Sequence, residues 1–213
     1  MIKVTLIYDN ESTNEALRPD WGFSCLIDAY GCRILFDTGT DGALLLQNMK
    51  ALNIDPTSID ELFLSHVHFD HIGGLSAFLG ENDRVKIYAP MSLRGIRPAK
   101  EVVYVVRAQE LRPHFFTTGL LDGIEQSLVI EDDKGVVVIV GCSHPGVGPI
   151  LDKAGDFGQP HTLIGGLHDF KDFEQLAPLR HVCPTHCTQH IDQISSRYPD
   201  KYIPGGAGVV INI

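Results

Sequence analysis

Four metal-competent side chains occupy six consecutive positions, His66-Val67-His68-Phe69-Asp70-His71, directly after the strand-like run Glu61 to Leu64. Three imidazoles and a carboxylate at this density are organised by a cation. His66 and His68 are two apart, whereas neighbours on a helix face are three or four apart. The pair therefore fits an extended segment or loop, and Gly73-Gly74 just beyond gives the backbone room to turn. This differs from the helical His-Glu-x-x-His arrangement of zinc proteases. Any fold for this chain has to end a strand in a loop that gathers these side chains around a metal.

A length of 213 residues, with no Ser/Pro tract, charge block or low-complexity stretch to act as a linker, predicts one domain spanning 1–213. Hydrophobic content of 44% with 21% charged residues describes an ordinary globular chain. The formal net charge of −10 argues against a nucleic-acid partner, which needs clustered Lys and Arg. Arg94, Arg97, Lys100, Arg107 and Arg112 form the one basic concentration and read as a solvated face. Cys25, Cys32, Cys142, Cys183 and Cys187 are odd in number and form no paired framework, which fits a reducing compartment. No signal-peptide pattern or transmembrane-length apolar run is seen, so the expectation is a cytoplasmic protein with a small-molecule substrate and no membrane partner. The sequence assigns no oligomeric state.

Short β-branched and aromatic runs recur, among them Ile2 to Tyr8, Phe23 to Ala29, Arg33 to Phe36, Val85 to Tyr88, Val102 to Val106 and Leu128 to Glu131. Helix-like stretches are expected at Gly42 to Leu52 with Asp41 as N-cap, Ile72 to Leu79, Val147 to Ala154, Phe173 to Leu179 and Gln189 to Arg197. The apolar run Val136 to Val140 reads as a strand buried on both sides. Paired strands followed by strands alternating with helices predict α/β sheets covered by helices. Several strand ends deliver a His or Asp beside a small residue: Asp37-Thr38-Gly39, Ser65-His66, Gly141-Cys142-Ser143-His144, Gly165-Gly166-Leu167-His168 and Pro184-Thr185-His186. Strand ends of this kind are where ligand sites form.

His66 to His71 matches the His-x-His-x-Asp-His signature of the metallo-β-lactamase superfamily, and Phe36-Asp37-Thr38-Gly39 resembles that family's earlier acidic turn. The segments Phe116 to Gly119, Glu125 to Leu128, Gly141 to Gly146, Gly165 to His168 and Pro184 to Thr188 resemble its dihydropterin–aminobenzene phosphate synthase-like branch. The resemblance implies a four-layer αββα sandwich, the metallo-β-lactamase fold. It implies that His66 and His68 hold one metal with His144, and that Asp70 and His71 hold a second with His186. Asp37 would accept an N–H from a metal-bound imidazole and fix its tautomer. Where many dinuclear relatives carry a bridging Asp, this chain has Cys142, which puts the occupancy of the second site in question.

Imidazole and carboxylate donors suit zinc first, with manganese or iron(II) as alternatives, as one or two ions. Such an ion lowers the pKa of bound water to about 7. Asp70 would serve both as ligand and as the base that orients the water. His168 has three open roles: general acid, contact to a substrate phosphate, or extra ligand. The leading expectation is a metal-dependent hydrolase of a small ester, thioester, lactone or phosphoester. The alternatives are a synthase-type transferase that displaces pyrophosphate, and a non-catalytic metal-binding or redox protein.

Overall fold

The computed structural model describes residues 1–213, which form two compact units, Met1–Val105 with Gly205–Ile213, and Val106–Pro204. In the first unit β1 (Ile2–Tyr8) pairs antiparallel with β2 (Ser24–Ala29), and β2 with β3 (Cys32–Phe36). The sheet then continues in parallel through β4 (Glu61–Phe63), β5 (Lys86–Pro90) and β6 (Glu101–Val105). Between β3 and β4 lies α1 (Gly42–Ala51), started as expected by Asp41, whose carboxylate accepts the N–H groups of Ala43 at 2.7 Å and Leu44 at 3.1 Å. Between β4 and β5 lie α2 (Phe69–Ile72) and α3 (Leu75–Glu81). Leu44, Leu45 and Met49 of α1 and Phe78 and Leu79 of α3 bury against Ile7, Leu35, Leu62 and Ile87 on one face of the sheet. Each such side chain contributes about 1.5–3 kcal/mol of apolar burial.

The second unit is a six-stranded sheet. β7 (Arg107–Arg112), β8 (Phe115–Gly119), β9 (Leu128–Asp132) and β10 (Gly135–Val140) run antiparallel, and β10, β11 (Pro160–Gly166) and β12 (His181–Thr185) run parallel. Helix α4 (Val147–Ala154) and α5 (Ile191–Arg197) cover one face, with Val147, Ile150, Ala154 and Ile194 in the same core as Val136, Val138, Val140, Leu163 and Val182. Val137 and Ile139, which point the other way, are equally buried, so β10 is buried on both faces as its composition indicates. β13 (Val210–Asn212) returns to the first unit and pairs antiparallel with β1. No helix is long and apolar enough to cross a membrane.

Two local expectations need correction, and one strand was not anticipated. The helix expected over Ile72 to Leu79 is two helices: the first starts at Phe69, and the break falls at Gly73-Gly74. A Cβ on Gly73 would sit 2.0 Å from the Thr40 carbonyl oxygen, and one on Gly74 2.2 Å from that of Thr38. The glycines thus let this segment lie directly on the turn after β3. Phe173 to Leu179 forms only a 3-10 turn, Phe173–Leu176. β7 escapes sequence reading because Arg-Ala-Gln-Glu-Leu-Arg has no apolar alternation; it is an edge strand, where charged side chains are favoured.

Phe78→Ala removes a fully buried ring from the first unit's core. A loss of about 3–5 kcal/mol of unfolding free energy is expected in urea titration.

Candidate metal centre

The turn after β3 and the loop after β4 are built as one structure. Thr38 donates from both its N–H, at 2.7 Å, and its hydroxyl, at 3.0 Å, to the carbonyl oxygen of His71, and the Gly74 N–H donates to Gly39 at 3.2 Å. His66 and His68 lie in the loop before α2, with His68 extended at its N-cap; Asp70 and His71 lie on α2 itself. The motif is half loop and half helical turn. This brings the His66 and His68 rings to 4.6 Å between centroids, and His66 and His71 to 4.1 Å. Asp70 Oδ2 stands 3.8 Å from His71 Nε2. His66 and His71 are buried, Asp70 is half-buried and His68 is exposed.

Asp37 controls the protons of two of these rings. Its Oδ1 accepts the Ser65 N–H at 2.7 Å, and its Oδ2 accepts the Ser65 hydroxyl at 2.6 Å and His71 Nδ1–H at 2.7 Å. Ser65 has one hydroxyl proton, and the Asp37 carboxylate takes it. The Ser65 oxygen, 2.8 Å from His66 Nδ1, must therefore accept from that nitrogen. Both rings carry their proton on Nδ1 and leave Nε2 as the unprotonated donor nitrogen, the form in which imidazole binds a metal. Asp37, His66 and His71 offer ligand atoms within 4.8 Å of one another. With three donors already on it, Asp37 orients the rings. The donor set of this loop fits a divalent cation.

The second unit gathers another group. Glu125, buried just before β9, accepts the N–H groups of Gly141, Cys142 and Ser143 on Oε1 at 2.9, 3.0 and 3.1 Å, and that of His144 on Oε2 at 2.9 Å. One carboxylate thus shapes the whole turn after β10. Cys142, 3% exposed, has its thiol within 4.8 Å of a donor nitrogen of His144 and also of one of His186. The His144 and His168 rings are 5.2 Å apart, beside a concavity of about 230 Å³ also lined by Gly146, Leu167 and Phe170. The Leu167 N–H bonds the Thr188 hydroxyl at 2.9 Å, and the Gln189 N–H bonds the His168 carbonyl at 3.0 Å, tying the loops after β11 and β12 together.

Asp37, Ser143, His168 and His186 all adopt left-handed backbone, with φ between 50° and 60°. Outside glycine this conformation costs about 1–2 kcal/mol per residue, and such strain concentrates at functional loops. Sequence reading gave no role to Ser65 or Glu125, though both lie in segments it singled out, and it passed over Trp21. The role of Glu125 had no local signal, because its four donors lie 16 to 19 residues away. Trp21, whose Nε1–H donates to Asp70 Oδ2 at 3.0 Å, had one: it is the single tryptophan of the chain.

Glu125→Gln faces the His144 N–H with a second donor, and about 1–3 kcal/mol of stability is expected to be lost in chemical denaturation. His168→Gly is expected to be about 1 kcal/mol more stable than His168→Ala in the same measurement, because the exposed side chain is lost in both and only glycine relieves the backbone.

Residues 22–192 match the family described as the metallo-beta-lactamase superfamily. The chain is 28% identical to the 7,8-dihydropterin-6-methyl-4-(β-D-ribofuranosyl)-aminobenzene-5′-phosphate synthase of Methanocaldococcus jannaschii, over 86% of each chain. It is 30% identical to ribonuclease Z of Bacillus subtilis over 52% of its own length and 34% of that protein's. A metal-dependent hydrolase of the β-lactamase superfamily superposes with a TM-score of 0.80 at 24% identity, over 100% of this chain and 99% of that one. A diphosphatase of the PhnP family superposes at 0.70 and 14% identity, over 100% and 98%. The fold expected from the signature is thus the fold observed, and the chain belongs to the metallo-β-lactamase superfamily.

Proposed function

We propose that this protein is a metal-dependent hydrolase of small-molecule phosphoesters or diphosphates. The observation that carries this reading is the Asp37–Ser65 hydrogen-bond system, which sets His66 and His71 in one tautomer with Nε2 as the donor nitrogen. His66, His68, Asp70 and His71 in the first unit, and His144 and His186 in the second, are the proposed ligands for one or two divalent ions, zinc foremost. A divalent ion supplies Lewis-acid charge and makes water acidic enough to attack at neutral pH. Asp37 holds the imidazole protons away from the donor nitrogens. Asp70 is the proposed base that orients the attacking water. His168, exposed beside His144, is proposed to meet the substrate phosphate or to protonate the leaving oxygen. A diphosphatase and a ribonuclease among the relatives support chemistry at phosphorus. The net charge of −10 weighs against RNA itself as substrate.

A second reading, a synthase-type transferase that displaces pyrophosphate, is favoured by the match to the M. jannaschii synthase over 86% of both chains. Incubation with a dihydropterin pyrophosphate and an aromatic amine acceptor separates the two readings: coupled product supports the synthase, and hydrolysis alone supports the phosphoesterase.

Elemental analysis of His68→Ala is expected to show loss of most bound metal, and a chelator is expected to abolish phosphoester turnover. Full metal content in the variant would remove His68 from the ligand set. Cobalt(II)-loaded protein is expected to show a near-ultraviolet thiolate charge-transfer band that disappears in Cys142→Ser, since the thiol lies among the donor nitrogens of His144 and His186. Absence of the band in the parent protein would make Cys142 a packing residue.

A further inference from the structure

The apolar side chains around the His66–His71 loop are unusually open. Trp21 is 55% exposed, Phe69 67% and Val67 38%. An indole is the largest apolar group a chain has to bury, and this is the only one here. Its polar edge is used, since Nε1–H donates to Asp70 Oδ2. The hydrogen bond fixes the rotation of that carboxylate while much of the indole stays open to solvent.

Trp21 is also held rigidly. Its own N–H bonds Asp20 Oδ1 at 2.8 Å, and Asp20 Oδ2 accepts the hydroxyl of Tyr8 at 3.2 Å. Burial pushes the Tyr8 phenol up to about 12, so it remains a donor across the working pH range. Thr40 donates its hydroxyl to the Trp21 carbonyl. The Phe23 N–H bonds the Asp70 carbonyl at 3.2 Å, and a Cβ on Gly22 would stand 2.7 Å from that same oxygen. An aromatic group placed this firmly loses little conformational freedom when something stacks on it.

We propose that Trp21 is a positioning residue for Asp70 and, through its open face, the wall on which a planar ring of the substrate stacks. The inference rests on the phosphoester reading above and narrows it to aryl- or heteroaryl-bearing phosphoesters. A ring is the occupant of fitting size. Three exposed side chains fall far short of the roughly 800 Å² per partner that a stable protein interface buries. A ring also gains from stacking in a way that an alkyl chain does not.

Two measurements test it, neither of them activity. Calorimetry on the zinc-loaded protein compares phenylphosphonate with methylphosphonate, which share a head group and differ in the ring. Phenylphosphonate is expected to bind about 3- to 10-fold more tightly. Trp21→Leu is expected to erase the difference and Trp21→Phe to keep it. Equal affinities in the parent protein, or a difference that survives Trp21→Leu, would overturn the stacking wall. Competition for zinc against a chromophoric chelator reads the hold on Asp70. Trp21→Phe and Trp21→Leu are both expected to weaken zinc by about 10-fold; unchanged affinity in Trp21→Phe would overturn the positioning role. Failure of both phosphonates to bind the zinc-loaded protein would overturn the phosphoester reading and with it the ring, while the chelator competition still decides the role at Asp70.

Discussion

The buried carboxylate of Asp37 is the interaction on which the candidate site depends. A carboxylate with no exposure is expensive unless its oxygens are satisfied. Here the loop after β4 supplies three donors: the Ser65 N–H, the Ser65 hydroxyl and His71 Nδ1–H. The requirement runs both ways. The acid can be buried because the loop supplies donors, and the loop keeps its shape because the acid needs them. Proton order follows without further assumption, since one hydroxyl proton on Ser65 decides the tautomer of His66.

The second unit solves the same problem with Glu125. Four consecutive N–H groups after β10 all donate to one buried glutamate. In both units a buried carboxylate shapes a strand-end loop that presents histidine. The left-handed backbone of Asp37, Ser143, His168 and His186 is the counterpart of this arrangement. Such conformations persist only where surrounding hydrogen bonds over-determine them. The helix-covered sheets supply that rigidity, with β10 buried on both faces beneath its loop.

Within this frame two further residues stand close to the candidate site. Cys142 places its thiol within 4.8 Å of a donor nitrogen of His144 and of one of His186, a soft atom beside two imidazoles. Trp21 brings a neutral N–H donor to Asp70 from a segment outside the His66–His71 motif, linking the proposed ring-binding surface to the orientation of that carboxylate. Residues of this kind distinguish members of one superfamily, because a shared fold does not carry a shared substrate.

The metal-competent cluster was legible in the sequence because its residues are contiguous: His66 to His71 sit within six positions, and the two-residue spacing of His66 and His68 rules out a shared helix face. The N-cap at Asp41 and the doubly buried strand of Val136 to Val140 were legible for the same reason, since capping and burial patterns are local. The Gly73-Gly74 break could be read as a turn, but its cause could not, because the clash it avoids is with the backbone of Thr38 and Thr40 more than thirty residues earlier. β7 has no apolar period to read, being an edge strand. By itself, then, the sequence determined the superfamily fold and that a loop of metal-competent side chains follows a strand in it. Only the tertiary structure decided which nitrogen of His66 and of His71 carries the proton, which carboxylate shapes each loop, and that Trp21 holds Asp70. Those outcomes are hydrogen bonds between residues far apart in the chain, and local pattern carries no information about partners that only folding brings together.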